Sequence, residues 1–414
     1  MRILVLTHRL PYAPNRGDRL RAYHMIHELR RHADVELVSL VHDDEEASHV
    51  DEVRAFVSHV TTLRVTKLRS RVNAAMALLS GTPLTHALLD AADMRATLMQ
   101  ICEARPPDVA FAYCSGMARF AMQSPLDQYP LVLDFVDVDS QKWRDMAAAS
   151  APPKSWIYHR EAVTLGAFEA RTAYKAVTSL VVNEREAEIA RHLAPGASVQ
   201  VMANGVELER LRPPGPPSAQ PRVVFCGVMS YAPNAEGMAW FVEQVWPIVR
   251  ATRPDATLAV VGLDPSAAFR SLCAPDPSIT VTGRVADVRE WLWDSAVGIA
   301  PLHVARGVQN KALEAIAAGL PIVITEAVAD GLPPAAAYAS RVANTPAHFA
   351  SHLLDLLSQT PAERRAVAMS ADFSDLAWSS TLTPLWPIFE SAARRQLISS
   401  SASLPAHKAR YGSV

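Results

Sequence analysis

One pattern constrains this chain more than any other: short strand-like runs alternate with helix-period stretches, and the alternation happens twice. In the first half, runs rich in leucine and β-branched residues fall at Arg2–Leu6, Val35–Val41, Val60–Val65, Asp108–Ala112, Leu131–Val136, Ser179–Val182 and Val199–Met202. Between most of them lie stretches such as Arg19–Arg31, Leu84–Glu103 and Ile157–Lys175, charged on one face and apolar on the other. Strands joined by crossover helices pair in parallel, so this half predicts an α/β domain with helices covering a parallel sheet. The run LRPPGPPSAQP at Leu211–Pro221 admits neither a helix nor a central strand and reads as an exposed, semi-rigid connector. Beyond it the alternation restarts, with strands predicted at Val223–Cys226, Thr257–Val261, Ile279–Thr282, Val297–Ala300 and Pro321–Thr325. Helices are predicted at Ala235–Arg250, Val288–Trp293 and Asn310–Ala318. The expected division is a first Rossmann-like domain at 1–205 and a second at 206–370. A helical segment at 371–398 follows, carrying Trp378, Leu382, Leu385, Trp386 and Ile388, and then a polar, disordered tail at 399–414.

Two such domains suit a chain of 414 residues, half of them hydrophobic. Forty basic and 42 acidic side chains give a net charge of −2, so no global field recruits nucleic acid, and any phosphate site must be local. Cys102, Cys114, Cys226 and Cys273 lack zinc or redox spacing and read as buried hydrophobes of a reducing compartment. The first apolar run, Ile3–Leu6, is too short for a signal peptide, and no long apolar run occurs elsewhere. The expectation is a cytoplasmic enzyme. Open parallel sheets bind ligands beyond the carboxyl ends of their strands, so polar residues directly after strands are the candidates.

The stretch ARGVQNKALEAIAAGLPIV at Ala305–Val323 has a glycine-containing loop, then a helix bearing Lys311 and Glu314. Unpaired amides at a helix start favour an anion, and Lys311 in the first turn adds a full charge. Glu314 lies three residues on, nearly on the same face, where a carboxylate can accept two ribose hydroxyls. A surface Lys–Glu pair beside an ordinary C-cap glycine is the plainer alternative.

This stretch resembles the nucleotide-sugar-binding motif of glycosyltransferase family 4, the group 1 glycosyltransferases. ANGVEL at Ala203–Leu208, FCGVMSYAPNAEGMAWFVEQVWPIVR at Phe225–Arg250 and TGRVAD at Thr282–Asp287 are similar to the family as well. With HRLPYAPNRGDRLRAYH at His8–His24 and DFVDVDSQKW at Asp134–Trp143, the chain looks closest to sugar transferases associated with PEP-CTERM and exosortase exopolysaccharide systems. The resemblance implies a GT-B architecture, two Rossmann-like domains facing across a cleft, with the C-terminal helix crossing back to the first domain. It implies that Glu314 holds the donor ribose, that Lys311 and its loop with Gln309 and Asn310 hold the diphosphate, and that backbone at Arg284 and Val285 meets the base. Gly227 would let a loop approach the phosphates, and the Gly17 loop would close over them, with Arg16 and Arg19 as optional cations. The family usually has two glutamates separated by seven residues, and Arg306 stands here where the first would be. That departure leaves the donor sugar and the stereochemical outcome open. Arg306 reads either as a fork onto the leaving diphosphate or as a solvated loop cation.

Pro11–Arg19, PYAPNRGDR, follows the first strand without the GxGxxG of a dinucleotide site, so a nicotinamide enzyme is not expected. There Gly17 supplies backbone freedom and Asp18 could cap the next helix; the alternative is a plain turn. After Leu131–Val136 come Asp137 and Asp139, joining Asp134 in a cluster. The favoured reading is a general base for an acceptor hydroxyl. An Asp-x-Asp pair on Mn²⁺ or Mg²⁺ and a helix cap at Asp139 or Ser140 are the alternatives. Asn204 and Gly205 form a turn pair before the connector. KLRSRVNAAMALL at Lys67–Leu79 sets three cations beside an apolar run, a pattern that docks on the inner face of an anionic membrane or serves as a crossover with a solvated basic end. His8, His24 and His303 show no metal-ligand spacing.

The expected activity is glycosyl transfer without cofactor or metal, from a UDP-sugar in preference to a GDP-sugar, to a glycan or lipid-linked sugar acceptor. The setting would be exopolysaccharide or other cell-surface glycan synthesis. A sugar-nucleotide epimerase of similar fold and a non-catalytic donor-binding subunit are the rivals.

Overall fold

The computed structural model describes residues 1–12, 17–305, 308–370 and 372–402, with side chains left out at 17–18 and 396–402. The chain forms two compact units, Met1–Met202 with Leu382–Val414, and Ala203–Thr381. Each is α/β and is built on a wholly parallel sheet.

The first unit's sheet has seven strands: β1 (Arg2–Thr7), β2 (Asp34–Val41), β3 (His59–Arg64), β4 (Val109–Tyr113), β5 (Leu131–Val136), β6 (Thr178–Val181) and β7 (Val199–Val201). They lie in the order β3-β2-β1-β4-β5-β6-β7. Ile3 is opposite Val35 on one side and Val109 on the other, so β1 is central and buried on both faces, as its apolar sequence requires. The Leu385–Ala402 helix packs against this unit, its Phe389 ring meeting Phe111 of β4 edge to face at 5.3 Å. Trp386 on the same helix stacks on His32, with ring centroids 4.9 Å apart.

The second unit's sheet has six strands: β8 (Arg222–Cys226), β9 (Thr257–Val261), β10 (Ile279–Gly283), β11 (Val297–Ala300), β12 (Ile322–Ile324) and β13 (Ser340–Val342), ordered β10-β9-β8-β11-β12-β13. The order reverses between β8 and β11, and the corresponding reversal in the first unit lies between β1 and β4.

Three expectations are corrected in detail. The single helix over Leu84–Glu103 is two, Leu84–Leu88 and Met94–Ala104; between them Asp90 accepts from Arg69, Asn73 and Arg119. The helix over Ala235–Arg250 begins earlier, at Ala232, and passes through a π-turn at Phe241–Val245 before Trp246–Thr252. Pro247 lacks the N–H an unbroken α-helix would use, and the wider turn accommodates that loss. Residues 399–402 continue the last helix instead of opening the tail, and 403–414 lie outside the described residues. Among the described residues no helix is long and apolar enough to cross a membrane.

Candidate nucleotide-sugar site

In the second unit the helix Asn310–Ala317 follows β11, so its first turn lies at the carboxyl edge of the sheet where strand order reverses. Gln309 occupies the cap position with no side-chain cap bond, leaving the leading amides of the helix available to a ligand. Lys311 Nζ donates to Gln309 Oε1 at 3.0 Å and to Asn234 Oδ1 at 3.1 Å, and lies 5.8 Å from the centre of the Phe225 ring. Asn204, buried, donates from Nδ2 to Asn310 Oδ1 at 3.3 Å. Asn204, Gln309, Asn310, Lys311 and Glu314 are therefore gathered around one helix start.

Glycines shape the opposite wall. A Cβ on Gly227 would fall 2.9 Å from Asn234 Nδ2, so the bare backbone after β8 is what lets Asn234 reach across to Lys311. Asn234 Nδ2 in turn donates to the Val228 carbonyl at 2.8 Å. Gly262, after β9, comes so close to Gly227 that a Cβ would fall 1.8 Å from the Gly227 carbonyl oxygen. Gly262 N donates to Gly283 O at 3.2 Å, and Gly283 has φ +75°. Three strand ends are thus locked into one backbone ledge running from Gly227 to Gly283, immediately before Arg284 and Val285. Arg284 is exposed and Val285 packs partly against the core.

The charges are under tension. Burial pulls the Lys311 ammonium down from 10.5 to about 8, although Glu314 beside it pulls the other way. Burial also pushes the Glu314 carboxyl up from 4.5 to about 7, against the effect of Lys311. Solvent reaches part of both side chains, but their charged ends are packed round by protein, and the titration follows those ends.

The carboxylates of the first unit have a different setting. Asp134 is buried and spent on structure, since Arg21 Nε donates to its Oδ2 at 2.7 Å while Arg21 Nη1 reaches the Met202 carbonyl at 2.7 Å. At Val136 the sheet register shifts and φ is +64°, an unusual conformation for a β-branched residue, and the strand end turns there. Asp137 and Asp139 follow. Val138, not Asp139 or Ser140, holds the cap position of the helix Asp139–Ala148, and no side-chain cap bond forms, so the capping alternative is set aside. Burial pushes Asp137 up from 3.8 to about 7, helped by Glu186 and Asp139, and its Oδ1 is buried without a hydrogen-bond partner among the described residues. Asp139 is also raised, by burial first. Behind it Glu169 is pushed up to about 8, chiefly by burial and then by Asp139. Ser140 N lies 3.3 Å from Glu169 Oε2.

Other expectations fare differently. Arg19 is no free cation: it is buried, pairs with Glu46 at 3.3 Å and donates to the Tyr12 hydroxyl. Gly17 opens the helix Gly17–Leu29, while Arg16, Arg306 and the Asp18 side chain lie outside the described residues. Asn234 escaped the sequence reading, because only its position in space gives it a role. Among the described residues no group of three or more His, Cys, Asp and Glu could hold a metal ion.

Residues 220–359 match the family described as glycosyl transferases group 1. Over that span the second unit is similar to group 1 glycosyltransferases. The matched span contains the Gly227 ledge, Asn234, Lys311 and Glu314. No curated protein sequence matches the chain. Solved structures match the GT-B fold over nearly its full length. A sucrose-phosphate synthase from Thermosynechococcus elongatus is 14% identical, with a TM-score of 0.66, covering 97% of this chain and 100% of its own. Anabaena HepE in complex with UDP and glucose is 12% identical, with a TM-score of 0.63 and coverage of 98% and 100%. S. aureus TarM, as a mutant in complex with fondaparinux, α-GlcNAc-glycerol and UDP, is 10% identical, with a TM-score of 0.66 and coverage of 94% and 99%.

Proposed function

We propose that the chain takes a sugar from a nucleotide-sugar donor held at the start of the Asn310–Ala317 helix and transfers it to a hydroxyl of a glycan or lipid-linked sugar. The carrying observation is the convergence of Lys311, Asn234, Gln309 and the Gly227 backbone beside unpaired helix amides, all at the strand-order reversal of a domain similar to group 1 glycosyltransferases. Such a site binds a diphosphate and, by the same contacts, stabilises the charge that grows on it as the sugar leaves. Glu314 receives the ribose hydroxyls, and the backbone at Arg284 and Val285 receives the base. A uridine nucleotide is favoured, because HepE and TarM were each solved with UDP.

In the first unit, Asp137 is the preferred acceptor base: its free Oδ1 can take a hydroxyl proton, and its pKa near 7 suits transfer at neutral pH. Asp139 stands two residues on as the second candidate. The resemblance of His8–His24 and Asp134–Trp143 to exopolysaccharide sugar transferases supports a role in cell-surface glycan synthesis. A thermal-shift panel of UDP, GDP and ADP sugars, followed by product analysis, tests the reading. Transfer releases free nucleoside diphosphate only when an acceptor is present. An isomerised sugar nucleotide would mean an epimerase, and an unchanged donor would mean a binding subunit.

A further inference from the structure

The helix Lys67–Leu79 is amphipathic the wrong way round for a crossover helix. Its buried positions are Ser70 and Ala77, with Asn73 and Ala74 partly covered, so a small and largely polar face is turned to the protein. The opposite face carries Leu68, Val72, Met76 and Leu79, spaced as one helical stripe and exposed by 77%, 55%, 63% and 88%. Lys67 and Arg71 border the stripe on one side and have no ion-pair partner among the described residues. Arg69 borders the other side, and no acidic residue occurs in the helix. Asp90, the acid that Arg69 pairs with, is already held by Arg69, Asn73 and Arg119.

A second element extends the surface. Arg160, on the helix Lys154–Lys175, donates to the carbonyls of Ala77, Ser80 and Thr82, pinning that helix to the end of the stripe. One turn earlier on the same side stands Trp156, 70% exposed. An apolar stripe about 20 Å long, edged by cations and ended by a tryptophan, has the composition of an interfacial membrane helix.

We infer that Lys67–Leu79, with Trp156, docks this chain on an anionic lipid bilayer, Leu68, Val72, Met76 and Leu79 entering the headgroup boundary while Lys67 and Arg71 meet lipid phosphates. Charge complementarity selects the bilayer over a second copy of the chain, which would set like charges against one another. The inference does not depend on the transfer chemistry.

The test is sedimentation of the full chain with phosphatidylcholine vesicles containing about one third phosphatidylglycerol, against phosphatidylcholine alone. The wild type should bind the anionic vesicles and release with salt. Leu68→Glu with Met76→Glu should lower partitioning by roughly tenfold or more, and Lys67→Glu with Arg71→Glu should remove the preference for anionic lipid. These side chains are exposed, so both variants should melt like the wild type. Absence of binding by the wild type, or equal binding by both variants, overturns the proposal. A lipid-free dimer that the Leu68→Glu, Met76→Glu variant dissociates also overturns it, in favour of a second copy.

Discussion

Lys311 Nζ lies 3.1 Å from Asn234 Oδ1, a bond across 77 residues of sequence that joins the helix after β11 to the loop after β8. It holds the ammonium beside the Phe225 ring, where burial lowers its pKa to about 8, while burial raises that of Glu314 nearby to about 7. Nucleotide binding needs Lys311 protonated and Glu314 ionised, conditions met together only between about pH 7 and 8. Affinity for a nucleoside diphosphate should therefore fall below about pH 7 and again above about pH 8, by up to about tenfold per pH unit on each side. A bare nucleoside should keep the acid limb and lose the alkaline one. Calorimetry from pH 6.5 to 9 checks this, and a flat profile removes these two residues from the site.

Substitution should divide the ligand in the same way. Lys311→Ala should weaken a nucleoside diphosphate by roughly 1.5 to 3 kcal/mol and the nucleoside little. Glu314→Ala should weaken both by about 1 to 3 kcal/mol. Equal losses of the two ligands on removing Lys311 would contradict its assignment to phosphate.

The glycine ledge should separate binding from folding. Gly262→Ala sets a Cβ against the Gly227 carbonyl at a φ of +154°, and should cost on the order of 2 to 4 kcal/mol of stability. Gly227→Ala first meets the Asn234 side chain and the Phe225 ring, not backbone, so it should melt closer to the wild type while displacing Asn234 and loosening Lys311. Melting curves paired with UDP affinity read both. A Gly227→Ala variant with unaltered affinity would show that Asn234 does not position Lys311.

For the carboxylates, Asp137→Asn should bind donor normally and transfer slowly, by about 10² to 10⁴-fold for a lost base, with activity resistant to chelator. Loss of donor affinity together with chelator sensitivity would instead indicate a cation on Asp137 and Asp139. Stability supplies an independent reading. A folded pKa near 7 against about 3.8 unfolded means that the protonated form favours folding, so the contribution is present below pH 4 and lost as pH rises through 7. Asp137→Asn should therefore melt higher than the wild type at pH 8, and the gap should close towards pH 4.

The strands were readable because a parallel sheet buries both faces, and continuous apolar runs such as Leu131–Val136, Thr257–Val261 and Val297–Ala300 mark it unaided. β13 was not readable: three residues, Ser340–Val342, at an exposed edge carry no pattern. The helix bearing Lys311 and Glu314 could be found from its own period and its loop. Asn234 could not, since its part depends on a missing side chain at Gly227 and on a lysine far along the chain. Arg19 was misjudged for a related reason. Its partner Glu46 sits in a separate short helix, and nothing local reveals that the cation is already committed.

The first unit is closed by the Leu385–Ala402 helix, whose Phe389 covers Phe111 and whose Trp386 meets His32. On the ribosome this has a consequence in time. The second unit, Ala203–Thr381, is continuous and can finish folding as soon as its last strand and helices emerge. The first unit, begun earlier, keeps the Phe111 side of its sheet uncovered for the roughly 10 to 40 s that synthesis of the intervening residues takes at ordinary rates. The domain that is made first is thus the domain completed last, and during that interval its open apolar face is where a nascent chain of this kind is most in need of a chaperone.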